Sequence, residues 1–218
     1  MKATKIFLIF IGIILLIGLS DFIYLYRNEP SKVGKVYLYF ALKEAKKGDL
    51  EKTLQYLDKT ASFHLKQNRI IYKDKYFAKK IKNNRSGLSL KTKKEINDYL
   101  LKTLPVALQK NSSPLISNIY YNLGLIAYQN NFHIEASNFF LTSTYLDPEL
   151  GHLYIELANS YFNDGNFEKG HNILEKCQQF NWPKKQCQEY LESNVKSNTF
   201  LPVGSYKEAI YKLQREYF

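Results

Sequence analysis

A chain of 218 residues in which 45% are hydrophobic and 15% aromatic carries enough apolar material for a core, which excludes a disordered polypeptide. Ten glycines, six prolines and no sustained Val/Ile/Thr alternation exclude a β-rich fold and leave an all-α protein as the expectation. The formal charge of +11 would mark an anionic partner only if it were concentrated, so its placement along the chain decides its meaning.

Residues 1–5, "MKATK", form a short basic tail, and the run from Ile6 to Leu19 holds no charge. After Ser20 and Asp21, "FIYLY" carries the apolar character to Tyr26. A helix over 6–26 would be about 31 Å long, enough to cross a hydrocarbon core. The segment therefore reads as a single transmembrane anchor, with Tyr24 and Tyr26 at headgroup level. Alternatively it is a signal peptide cut after Ser20, where Gly18 and Ser20 supply the small-x-small pattern. A short basic amino terminus stays in the cytoplasm and sends the remainder across. Arg27, Lys32 and Lys35 flank the other side, so the charge bias favours an extracytoplasmic domain only weakly. Residues 27–32 read as a linker.

Residues 64–116 explain the charge. Between His64 and Lys110 there are thirteen lysines and arginines against three acids. The segment reads as an irregular helical hairpin, with one helix near Ile70 to Lys82 and the loop "NNRSGLS". A second helix is opened by a Thr92 to Glu95 capping box and kinked or ended early by Pro105. Lys73, Lys75, Lys79, Lys80 and Lys82, with Lys91, Lys93 and Lys94 beyond the loop, form a dense basic patch. It is either a solvated surface or a site for anionic lipid headgroups, each lysine near a bilayer contributing about 1 kcal/mol. Nucleic acid is disfavoured, because arginines are few and no reader motif accompanies the patch.

Farther along the chain, "YYNLGLIAYQNNFHIEASNFFLTSTYLDP" from Tyr120 aligns without a gap on "YIELANSYFNDGNFEKGHNILEKCQQFNW" from Tyr154. Tyr120 meets Tyr154, Leu123 meets Leu157, Gly124 meets Ala158, and Ala136 meets Gly170. The offset of roughly 34 residues is the period of a helix-turn-helix array. A looser copy, "VYLYFALKEAKKGDLEKTLQYLDKTAS" from Val36 to Ser62, places Gly48, Leu50 and Leu57 at matching positions. These residues resemble the tetratricopeptide repeat (TPR) family, whose pattern joins an aromatic, Leu-Gly, a glycine-type turn, a small residue in the second helix and a closing proline. The resemblance implies a TPR-like α-solenoid of antiparallel hairpins: a degenerate copy at 33–63, two repeats at 117–150 and 151–183, and capping helices at 184–218. That last segment includes a second capping box, Ser205 to Glu208. The small residues at Gly124 and Gly170 are expected where the two helices of a hairpin cross and a larger side chain would hold the backbones apart.

In that family the first helices of successive repeats line a concave groove. The resemblance places Asn118, Tyr121, Leu125 and Tyr128 on it from one copy, and His152, Ile155, Asn159 and Phe162 from the next. Such an aromatic groove suits an apolar helix or an extended peptide. A subgroup that grips chaperone tails needs lysine, asparagine and arginine at three places where this chain has Tyr121, Leu125 and Glu156, so that ligand is rejected. For a groove of this kind Tyr121, Tyr128, Ile155 and Phe162 should each be partly exposed. Cys177 takes the place of the small residue that in the family packs one hairpin against the next, where a buried thiol would fit. Cys177 and Cys187 also lie five residues either side of Trp182, and form a disulfide if the domain is outside the cytoplasm. The four histidines lack metal-helix spacing, and no phosphate loop, nucleophile elbow or zinc-type cysteine cluster occurs. The reading is accordingly a membrane-tethered TPR scaffold with no enzymatic activity, no cofactor and a protein partner. The alternatives are a released extracytoplasmic TPR domain and a lipid-binding accessory module.

Overall fold

A computed structural model describes Tyr24, residues 27–67, 87–148 and 150–178, and positions 185, 187–189 and 192. Among the described residues there are helices and turns and no strand, as composition led one to expect. The helices are α1 (Pro30–Lys46), α2 (Leu50–Gln67), α3 (Leu90–Lys110), α4 (Ser113–Gln129), α5 (His133–Leu146), α6 (His152–Asn163) and α7 (Phe167–Cys177). They pack chiefly with their neighbours in sequence, so that α1/α2, α4/α5 and α6/α7 form three hairpins, while α3 lies against α1 and α4.

The three hairpins are closed by one turn. Gly48, Asn131 and Gly165 adopt left-handed backbones with φ of 76°, 65° and 74°. In each case the amide of that residue donates to the carbonyl three positions back, and the next amide reaches five back. The second bonds are Asp49 to Glu44 (3.1 Å), Phe132 to Ala127 (3.0 Å) and Asn166 to Tyr161 (2.8 Å). This is a Schellman closure, which satisfies helix-end carbonyls and requires a residue that tolerates positive φ. Asparagine serves where glycine stands in the other two turns, because its short polar side chain tolerates that conformation.

Helix crossings recur in the same register. The Thr60 hydroxyl donates to the Gly34 carbonyl at 3.1 Å. The Ser117 and Ser143 hydroxyls each donate to the other's carbonyl oxygen, at 3.0 and 2.9 Å. Cys177 Sγ lies 3.4 Å from the Gly151 carbonyl oxygen. All three pairs span 26 residues. A small residue on the first helix meets a short side chain on the second, so the backbones come close there. Gly124 does something different from what its expected place at the crossing implies. A Cβ on it would fall 2.5 Å from Cε1 of the Phe140 ring rather than against backbone, so this glycine is a notch for a side chain.

One core runs from α1 through α6. Leu38, Leu57, Ile96, Leu100, Leu104, Ile116, Tyr120 and Phe140 are fully enclosed within it. Each such side chain contributes about 1.5–3 kcal/mol relative to an exposed one. Polar links join the hairpins at the edge of that core. Tyr120 donates to Asp58 Oδ1 at 2.6 Å, Asn111 Nδ2 donates to the Ser31 carbonyl at 2.9 Å, and His64 Nε2 donates to Asn111 Oδ1 at 3.1 Å.

Local expectations need three corrections. Pro30, Ser31 and Lys32, expected in a linker, belong to α1, whose first turn accepts a proline because that amide has no intrahelical partner. The cap of α3 is Ser89, whose Oγ accepts from the Thr92 amide at 3.1 Å; Thr92 itself is buried inside the helix. Pro105 does not end α3, which continues to Lys110 because Leu104 and Ala107 on either side are fully buried. Their packing outweighs the lost hydrogen bond. Among the described residues no helix is long and apolar enough to cross a membrane. The run from Ile6 to Tyr26, apart from Tyr24, lies outside them, as do the helix expected near Ile70 to Lys82 and the box at Ser205.

Candidate functional site

The proposed groove residues come from α4 and α6, and the structure brings those helices side by side. The Tyr121 ring meets His152 edge-on at 5.5 Å and packs on Phe140 at 5.8 Å. The Tyr128 ring meets His133 edge-on at 4.9 Å, and its hydroxyl accepts from Asn163 Nδ2 at 2.8 Å. Phe162 packs against His171 at 5.3 Å and Phe167 at 6.4 Å. Ile155 packs with Tyr154, Cys177 and Cys187.

These contacts overturn the expected exposure. Tyr121 is 6% exposed, Tyr128 7%, Ile155 2% and Phe162 3%; Asn159 is buried as well. Rings that would have faced a ligand instead form a packed layer between successive helices. Of the eight, Asn118 is exposed, and Leu125 and His152 are partly buried. Asn118 accepts from Asn122 Nδ2 at 2.8 Å on that open edge. Burial pushes the His152 imidazole down to about 4, so it is neutral at physiological pH. Burial likewise lowers His133, with nearby Asp164 opposing the shift, and raises Tyr128 beyond the ordinary phenol range.

Cys177 and Cys187 are joined by a disulfide, with Cα atoms 6.0 Å apart. Both half-cystines are fully buried beside Ile155 and Tyr154. The bond ties the end of α7 to the helical positions that follow it. In addition, Cys177 stands at the crossing within its own hairpin, opposite Gly151, rather than between hairpins.

Of the basic patch, Lys73, Lys75, Lys79, Lys80 and Lys82 lie outside the described residues. Lys91, Lys93 and Lys94 occupy the first turns of α3; Lys91 and Lys94 are exposed, and Lys91 reaches Glu95 at 3.9 Å. Among the described residues no group of histidine, cysteine or acidic side chains could hold a metal ion.

A surface that the sequence reading missed lies on α1, where Val36, Tyr39 and Phe40 are 51%, 60% and 37% exposed. The signal was present: "VYLYFAL", 36–42, is an unbroken apolar run, and a helix cannot bury seven consecutive side chains against neighbours on one side. No protein-family model matches this sequence, and no curated protein matches it.

Proposed function

We propose that the chain is a membrane-tethered, TPR-like scaffold that holds a protein partner outside the cytoplasm. The observation that carries this reading is the recurrence of one hairpin. Turn residues Gly48, Asn131 and Gly165 and crossing pairs Gly34/Thr60, Ser117/Ser143 and Gly151/Cys177 keep a common register, with 34 positions from 131 to 165. A chain that repeats one supersecondary unit builds an extended surface rather than a catalytic pocket, and such surfaces bind other chains.

The buried disulfide supports an oxidising compartment, since thiols inside the cytoplasm are kept reduced. The apolar run from Ile6 to Tyr26 supports an anchor. The partner, an apolar helix or extended segment, would be met at exposed Asn118 and at the accessible edges of the partly buried Leu125 and His152.

Fractionation of native membranes, amino-terminal sequencing and mass mapping without reduction test the reading together. An intact amino terminus in the membrane fraction and a linked Cys177–Cys187 peptide are expected. A soluble chain beginning at Asp21 would favour the released domain, and free thiols would remove the extracytoplasmic assignment. For the partner surface, Asn118→Arg with Leu125→Arg should retain helicity and lose crosslinked partners. An unchanged partner profile would place binding elsewhere.

A further inference from the structure

The exposed side of α1 has an unusual make-up. Lys35, Val36, Tyr39, Phe40, Lys43 and Lys46 are all exposed, at the spacing that puts them on one helix face, and no acid is exposed among them. Glu29 pairs with Lys32 and Glu44 with Lys47, so the nearby carboxylates are engaged, and no described acid pairs with Lys35, Lys43 or Lys46. Stacked rings support the face. Tyr37 packs on Phe63 at 5.4 Å and on Tyr56 at 6.2 Å, and Phe40 packs on Tyr56 at 5.5 Å. Lys59 Nζ stands 5.3 Å from the Tyr37 and Tyr56 ring centres and adds a further charge.

The hairpin register shows what this face is. Val36 and Phe40 hold the places taken by Ile119 and Leu123 in α4 and by Leu153 and Leu157 in α6, all of them buried at 1% or less. It is thus the end face of the array among the described residues, where no described helix precedes α1. The terminal face of a helical array is ordinarily polar. This one is aromatic at its centre and lysine-rich around it.

Chain continuity names an occupant. The apolar run ends at Tyr26 and α1 begins at Pro30, so only a few residues separate this end of the array from the bilayer that the run is read to enter. Aromatic side chains favour the membrane interface, lysines extend their charged heads toward anionic lipids, and lysine is depleted from protein interfaces. We propose that the α1 face rests on the anionic headgroup region of the bilayer that Ile6 to Tyr26 enters, standing the array end-on to the membrane. The proposal rests on the anchor reading above and concerns a surface separate from the basic residues at 73–94.

Reporters on the full-length chain test it, reconstituted in vesicles of phosphatidylcholine with and without phosphatidylglycerol and with brominated lipid as quencher. In a Trp182→Phe background, Tyr39→Trp reports the face and Ile13→Trp reports the anchor, with helicity checked against the parent. Both should be quenched in anionic vesicles, and the Tyr39→Trp signal should weaken in neutral vesicles and at about 1 M salt, where charges are screened beyond roughly 3 Å. Lys35→Gln and Lys43→Gln should each lower the docked-to-undocked ratio about fivefold. Quenching of Ile13→Trp without Tyr39→Trp overturns the docking and leaves the anchor standing. Quenching of neither overturns the anchor, and the docking with it. Blue-shifted Tyr39→Trp emission without quenching by lipid assigns the face to a second copy or another protein, which also overturns the proposal.

Discussion

The second and third hairpins solve one packing problem in opposite ways. In α4/α5 the ring comes from the second helix: Phe140 enters a notch at Gly124 on the first. In α6/α7 the ring comes from the first helix, where a Cβ at Gly170 would fall 2.6 Å from Cδ1 of Phe162. The places that match Gly124 and Phe140 hold Ala158 and Leu174, which pack in one buried cluster with Phe162. The places that match Gly170 and Phe162 hold Ala136 and Tyr128. The first hairpin takes a third solution, with Ala41 and Leu57 in the places of Gly124 and Phe140. What recurs between copies is the combined volume of a facing pair, as expected of an interior packed to crystal density.

Removing a ring from its notch should have the largest effect. Phe140→Ala takes away a fully buried side chain and leaves the Gly124 notch empty, which should cost about 3–5 kcal/mol by urea unfolding. A loss under 1 kcal/mol would mean that the hairpin collapses to fill the space.

Acid should distinguish the two hairpins next. His152 has its folded-state pKa lowered to about 4 by burial, against the ordinary imidazole value of 6.5. Between those values the unfolded chain binds a proton that the folded chain refuses, so stability falls as pH drops from 6.5 toward 4 and then levels off. The loss is at most about 3 kcal/mol at 1.36 kcal/mol per unit. His152→Gln should flatten the profile in that window, and an unaltered slope would assign it to other groups, with His64 and His133 the first to examine.

Filling the notch should cost less than emptying it. Gly124→Leu should destabilise by roughly 1–3 kcal/mol through overpacking against Phe140. Combining Gly124→Ala with Phe140→Leu installs the pair used by the third hairpin, and it should cost less than the two single changes summed, with a coupling of about 0.5 kcal/mol or more. Strict additivity would defeat the idea that facing volumes are exchanged as a pair.

Turns should show the smallest difference. Gly165→Ala forces a side chain into the left-handed region and should cost roughly 1 kcal/mol, whereas Asn131→Gly should change stability by only a few tenths. Matched thermal midpoints for Gly165→Ala and the parent would argue that the turn relaxes out of the Schellman form.

Helical class, the alignable turn positions, the small residues at Gly124 and Gly170 and the closeness of the two cysteines were legible in the sequence, because each depends on spacing within a few tens of residues. That the two glycines face the rings of Phe140 and Phe162 was not. The left-handed turn at Asn131 could be aligned with Gly165 before any coordinate was known, and Gly48 with both. Tertiary structure alone decided which faces are covered. Periodicity assigns Tyr121, Tyr128, Ile155 and Phe162 an angle on their helices, but their burial depends on His152, His133, Asn163, Cys177 and His171 arriving from other helices. The same holds in reverse for Val36, Tyr39 and Phe40: the unbroken run 36–42 implies that some apolar side chains stay open, and the place of α1 as the first described hairpin helix decides which. A side chain's angle is a local property of its helix, whereas solvent access is set by the neighbour, and an open end has none.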